Sequence, residues 1–189
     1  MRFIVSSSTS KNNPKNSFIE HIGMYMGYVV KLLVGKNTML PILAGDLKGK
    51  KWVAGAGIAP VLGMLKEPYT DKFEESIYES SVVYDIGAQM GWYTLLSSQL
   101  VGQGGKVVSF EPLPSVLRYL TKHVEANHCT NVQIIEAAVS DRDGTAMFFA
   151  NMDVGLGSLS PIYGSKSTTK MVKTVKIDTI IKKKIAPYP

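Results

Sequence analysis

The sequence predicts a three-layer α/β sandwich built on a parallel sheet, and three observations carry that prediction. Strand-like and helix-like segments alternate between residues 81 and 141. The first two strands each end in an acid, Asp85 and Glu111. Glycines or prolines stand where each of these strands gives way to a helix. Strand, helix, strand, helix, strand within about 60 residues calls for right-handed βαβ units.

Each element can be justified in turn. "SVVYD" (81–85) is β-branched and apolar up to its acid, "IGAQMG" turns the chain, and "WYTLLSSQL" (92–100) sets Leu95, Leu96 and Leu100 at helical spacing. "GQGG" (102–105) supplies the glycines expected past a helix C-terminus. "KVVSFE" (106–111) is a second strand. "PLPSVLRYLTKHVEANH" opens on prolines suited to a helix start, buries Val116 or Leu117, Leu120 and Val124, and offers Asn127 as a left-handed cap. "NVQIIEAAVSD" (131–141) is a third strand running into small residues. The expected topology has parallel strands at 82–85, 106–110 and 132–136, with 82–85 inside the sheet. An antiparallel pair near 145–150 and 171–177 extends that sheet.

Upstream, residues 1–17 read as a polar, flexible tail. Residues 18–80 form a helical and turn-rich appendage to the α/β domain of 81–189. Phe18, Ile22, Tyr25 and Val29 recur at helical spacing, predicting a helix packed on the domain, with a helix lying on a membrane surface as the alternative. Its apolar run of about 13 residues falls short of the roughly 20 that span a bilayer. "LAGDLKGKKWVAGAG" (43–57) reads as turns joining short strands, and "YTDKFEESIYES" (69–80) as a short helix capped by Thr70 or Asp71.

Charge and cysteine usage narrow the function classes. The net charge of +6 resides in residues 165–189, where seven lysines face one acid, Asp178. Lysines alternating along a strand mark a solvated face or a guarded edge. No arginine is interleaved with them, so no nucleic-acid partner is expected. The single cysteine, Cys129, excludes an intrachain disulfide and reads as a plain thiol. With no cleavage site after the apolar run, a cytoplasmic location is expected. No His/Cys/Asp/Glu grouping has metal-ligand spacing.

Ligands of a parallel sheet sit beyond the carboxyl ends of its strands, which is where Asp85, Glu111 and the 136–141 loop converge. Gly87 and Gly91 let the backbone approach a ligand and turn into a helix whose first amides receive an anion. Glu111, at the end of the second strand, suits the two hydroxyls of a ribose. Asp85 suits a cation better than a pyrophosphate. There is neither a Gly-x-Gly-x-x-Gly nor a Gly-Lys-Ser/Thr motif. A nucleoside carrying an amino-acid head fits this set, and S-adenosylmethionine (SAM) has those parts. Each residue also has a plainer role open to it: Asp85 as a helix cap, the glycines as a tight turn, Glu111 as a solvated strand end. Asp141 and Asp143 fit a hairpin turn equally well. His123 and His128 read as structural.

"VVYDIGAQMGWYT", "VGQGGKVVSFEPLPSVLRYL", "HVEAN" and "NVQIIEAAVSDRDGTAMFF", in this order, resemble the FkbM family of class I SAM-dependent methyltransferases, with their Rossmann-like fold. The resemblance runs from about Val82 to Ile180, is weaker over 43–80, and is absent from the first 40 residues. It implies Asp85, Gly87, Ala88 and Gly91 around the methionine portion, Glu111 with Pro112 at the ribose, and the segment around Ala137 to Asp141, including Ala138, beside the adenine. It implies methylation of a hydroxyl on a sugar or other small molecule or glycan, with no residue singled out as catalytic. In the family, the segment resembling "TVKIDTIIKKK" precedes a fourth core strand bearing Ile-Asp-x-Glu-Gly. This chain stops at Pro189, so the expected sandwich is incomplete at its C-terminus and the 189 residues alone are expected to turn over negligibly. A non-catalytic small-molecule-binding or scaffold module is the alternative. A nicotinamide-dependent oxidoreductase is opposed by the absent third glycine.

Overall fold

A computed structural model describes residues 35–65, 67–151, 156–160 and 168–189. The expected tail and the helix at 18–34 lie outside these residues, as do parts of 151–167. The elements, in chain order, are β1 (Met39–Pro41), β2 (Lys51–Val53), a 3-10 turn (Ala54–Ala56), α1 (Thr70–Glu75), β3 (Val82–Ile86), α2 (Trp92–Val101), β4 (Lys106–Phe110), α3 (Pro114–Ala126), β5 (Val132–Ile135), β6 (Ala138–Val139), β7 (Gly144–Asn151), β8 (Leu156–Ser158), β9 (Thr168–Val175) and α4 (Ile177–Lys182).

The predicted βαβαβ unit is present. β3, β4 and β5 form a parallel sheet in that order, with Asp85 opposite Ser109 and Ser109 opposite Ile134. Successive right-handed crossovers in one direction put α2 and α3 on the same face. The other face is covered by α4 and the chain after it, where Ile180 and Ala186 pack on Val108 and Phe110. β4, covered on both faces, is buried from Val107 to Phe110 and reads as the continuous run of a central parallel strand. This is the α/β three-layer arrangement the sequence predicts.

Two topological details differ from expectation. β3 is an edge strand, not an interior one, because the described strands that follow it add only on the β4 side. Ser81 O accepts from Lys106 N and Gly87 N donates to Phe110 O, so the odd-numbered peptide groups face β4. Those of Val82, Tyr84 and Ile86 therefore face outward. The third strand, expected at 132–136, runs from Val132 to Ile135. Ala137 N returns to Ile135 O at 2.9 Å, and this turn diverts the chain out of the sheet. In the second, the antiparallel pair forms with Met147 opposite Met171, but it belongs to a second sheet of order β6-β9-β7-β8. That sheet packs Phe148, Ala150 and Val172 against Leu113 and Val116 at the start of α3.

Of the short strands expected within 43–57, β2 is present, and its antiparallel partner β1 lies upstream at Met39–Pro41. Ile42, Leu47, Trp52 and Val53 share one hydrophobic cluster with Leu95 and Leu96 of α2 and with Cys129, so residues on both sides of position 81 contribute to it. The left-handed residue after α3 is His128 (φ 54°), not Asn127 (φ −98°). The Asn127 side chain instead grips β2, accepting from Lys51 N at 2.7 Å and donating to Lys51 O at 2.9 Å. A tertiary contact has displaced the local cap.

Candidate functional site

The turn after β3 is built from glycines where the backbone needs them. Gly87 (φ 81°) and Gly91 (φ 95°) both occupy conformations unfavourable to other residues. A Cβ on Gly91 would stand 2.6 Å from Leu120 Cδ1, so this glycine is required by the packing of α3 against the turn. A Cβ on Gly87 would meet nothing within 4 Å. Gly87 faces open space at the cleft. Between the glycines, Gly87 N and Ala88 N both donate to Phe110 O at 3.0 Å, which ties the turn to the end of β4.

Asp85 ends β3 on the face toward α2. Thr94 Oγ1 donates to Asp85 Oδ2 at 2.5 Å, and Ser109 Oγ lies 2.9 Å behind Thr94 Oγ1. Burial pushes the Asp85 carboxyl up from 3.8 to about 6, and the Thr94 hydroxyl opposes part of that rise. Glu111, 4% exposed, accepts from Gln89 N at 3.0 Å through Oε2 and from Leu113 N at 2.9 Å through Oε1. Burial also raises its pKa, the two amides lower it, and the nearby Asp85 charge raises it. Glu111 thus clamps the glycine turn to the start of α3. Gln89, held at φ 50°, is the residue whose amide reaches it.

An open cleft of about 1200 Å³ runs along β3 and over the turn. Asp85, Gly87, Ala88 and Gly91 line it. Glu111 and Pro112 are buried behind the turn and do not. Ala138 is not brought to the cleft either: it is buried in β6, opposite Thr174 of β9. Asp143 caps α4, accepting from Lys176 N at 2.8 Å and from Thr179 Oγ1 at 2.7 Å, while Asp141 pairs with Arg142 in solvent. Among the described residues no group of His, Cys, Asp and Glu is placed to hold a metal ion.

A tyrosine–glutamate group beside the cleft, and the partners of His123 behind the turn, escaped sequence reasoning. On one side of the cleft, Tyr93 Oη donates to Glu67 Oε2 at 2.8 Å and Tyr69 stacks beside Tyr93 at 6.1 Å. Burial first, then Glu67, raises both phenols, Tyr69 to about 12. Behind the turn, His123 is fully buried. Its Nε2 accepts from Val53 N at 2.9 Å, which leaves the proton on Nδ1 to be donated to Met90 O at 2.6 Å. Burial lowers its pKa to about 4. Its ring stacks on Trp52 at 3.8 Å. The histidine is structural, as its sequence context indicates, and it supports the glycine turn directly. No signal within its own helix points to Val53, 70 positions away.

Among solved structures, the chain is similar to an FkbM methyltransferase from Methylobacillus flagellatus KT (15% identity, 64% of this chain and 29% of that one, TM-score 0.39). It is also similar to a SAM-dependent methyltransferase from Aquifex aeolicus (26%, 39% of each chain, TM-score 0.35). A third is a precorrin-6y C5,15-methyltransferase from Geobacter metallireducens GS-15 (22%, 36% and 35%, TM-score 0.34). The chain thus spans well under two thirds of the length of each. No curated protein matches it. The model of the Methyltransferase FkbM domain matches residues 85–187, from the acid that ends β3 to the segment after α4. That match takes in more than half of the 189 residues, and the chain belongs to the FkbM methyltransferase domain family.

Proposed function

We propose that this chain is the cofactor-binding part of a SAM-dependent methyltransferase acting on a hydroxyl of a sugar, glycan or other small molecule in the cytoplasm. The observation that carries the reading is the paired character of the turn after β3. An acid with a spare oxygen, Asp85, stands beside a glycine, Gly87, whose missing side chain leaves open space in the cleft. Asp85 Oδ1 accepts no hydrogen bond among the described residues, so it can receive an ammonium group. Gly87 and Ala88 let the backbone lie against the amino-acid head, and Gly91 turns it into the N-terminus of α2.

The ribose is assigned to Glu111, with Pro112 beside it, which requires the turn at Gln89 to move off the buried carboxylate when the ligand enters. Each carboxylate oxygen takes one amide proton in this structure and has capacity for a second donor. The adenine is assigned to the segment around Ala138, which lies outside the cleft in this structure and would have to approach the turn on binding. Bound in this way, the cofactor supplies a methyl group already made electrophilic by its sulfonium. The residues of this chain hold and orient it, and alignment with the acceptor oxygen is the main remaining requirement. No residue is assigned as the general base, and neither a metal nor nucleic acid is invoked.

Calorimetric titration with SAM and, separately, with NAD tests the reading. SAM binding that Asp85→Asn weakens, with no NAD binding, is the expected result. NAD binding in preference to SAM overturns the reading in favour of an oxidoreductase. Binding of SAM without methylated product from any hydroxyl acceptor, even by a version of the chain extended beyond residue 189, points to the non-catalytic module instead.

A further inference from the structure

Ser109 of β4 and Thr94 of α2 are two fully buried hydroxyls that face each other across the layer between strand and helix. Neither lines the cleft. A buried hydroxyl needs a reason, since it costs free energy unless its hydrogen bonds are satisfied. Here they are satisfied in one direction. The Thr94 proton goes to Asp85 Oδ2, so the Thr94 oxygen is left as an acceptor. Ser109 Oγ, 2.9 Å away, is then the donor to it. Ser109 lies opposite Asp85 in the β3–β4 register, and both side chains point toward α2. The result is a chain of three groups ending on the back oxygen of Asp85, with the other oxygen free.

We propose that Ser109 is a positioning residue which, through Thr94, keeps Asp85 ionised and fixes which carboxylate oxygen faces the cleft. Each hydroxyl in the chain polarises the next, and the last donor strengthens only when the carboxylate carries its charge. The charged neighbour opposing that ionisation is Glu111, at the end of the adjacent strand. From α2, the titratable neighbour of Thr94 is Tyr93, which is turned to Glu67. On its own strand Asp85 follows Tyr84, whose hydroxyl donates to Pro187 O on the other face. The hydroxyl relay is therefore what offsets burial. The consequence for ligand binding rests on the proposed cofactor reading: the ammonium of the amino-acid head meets a preformed, ionised acceptor instead of having to create one.

The test follows the Asp85 and Glu111 carboxyl carbons by NMR titration in the ligand-free protein, with SAM affinity measured in parallel. Ser109→Ala, and independently the isosteric Thr94→Val, should raise the Asp85 midpoint by about one pH unit, while Thr94→Ser, which keeps the hydroxyl, leaves it in place. At the wild-type midpoint, about pH 6, the ionised fraction then falls from a half to about a tenth. SAM affinity should drop about fivefold there and less than about 1.2-fold two pH units higher. A merely structural role would weaken binding equally at both. An Asp85 midpoint unmoved by Ser109→Ala overturns the proposal, whatever Thr94→Val does. Wild-type protein that titrates as described yet binds no SAM leaves the relay standing and removes the cofactor reading.

Discussion

Replacing each glycine of the ligand turn by alanine separates packing from ligand access. Gly91 has φ 95° and ψ 25°, a left-handed conformation that costs a residue with a Cβ about 1–2 kcal/mol. The added methyl would also stand 2.6 Å from Leu120 Cδ1, and Leu120 is fully buried, so it has no solvent to retreat into. Overpacking of this kind adds about 1–3 kcal/mol. Gly91→Ala should thus lose about 2–5 kcal/mol, a large part of the roughly 5–15 kcal/mol that holds a domain folded. Gly87 has φ 81° but no atom within 4 Å of the position its Cβ would take. Gly87→Ala should lose only the backbone part, about 1–2 kcal/mol, yet its methyl enters the space proposed for the ligand. Urea unfolding should show a lower midpoint with unchanged slope for both variants, much lower for Gly91→Ala. Calorimetry should show that Gly87→Ala, though folded, no longer binds SAM. A Gly91→Ala midpoint equal to wild type, or Gly87→Ala the less stable of the pair, refutes the reasoning from packing. Unimpaired SAM binding by Gly87→Ala refutes the placement of the ligand.

Other expectations follow from the same structure. Glu111→Gln removes a charge-assisted acceptor and sets an amide NH2 against either Gln89 N or Leu113 N; SAM affinity measured by calorimetry should fall about 10- to 150-fold, with a lower urea midpoint and an unchanged circular dichroism spectrum. His123 has its pKa depressed from 6.5 to about 4. The unfolded chain therefore binds the extra proton first, and stability present above about pH 6.5 is lost as pH falls toward 4. In urea titrations His123→Gln should be less stable at neutral pH but show a flatter pH dependence across that window; an identical dependence would exclude His123 as its source. Hydrogen exchange should find the outward amides of Val82, Tyr84 and Ile86 faster than those of Val83 and Asp85, and uniform protection along β3 would mean that its outer edge is covered.

What the sequence made legible was local. The strand ending at Asp85, the glycine turn and the helix from Trp92 lie within about 20 residues and are set by periodicity and backbone preference. The proline start of α3 and the buried face of Val116 and Leu120 are equally local. What stayed hidden depends on distant partners. The edge position of β3 follows from which strands lie beside it, and alternation of side chains carries no information about that. Asn127 has the composition of a left-handed cap but spends its side chain on Lys51, 76 positions away. Ser109 reads as one more small strand residue until Thr94 is seen opposite it. Glu111 reads from the sequence as a candidate site acid, but its present partners, Gln89 N and Leu113 N, depend on how the turn closes over it.

The bonds from Val53 to His123 and from Lys51 to Asn127 bear on where this protein can be cut. Family similarity begins at residue 85. A piece excised there would strip the imidazole of its backbone donor, expose the apolar flank of α2 now covered by Trp52 and Val53, and leave Met90 O held by a ring free to tilt. The ligand turn would still be encoded, but its scaffold would have been discarded. Cloning boundaries, grafts and deletion series are therefore best placed upstream of the β1–β2 hairpin, because the recognisable segment leaves out a hairpin on which its scaffold leans.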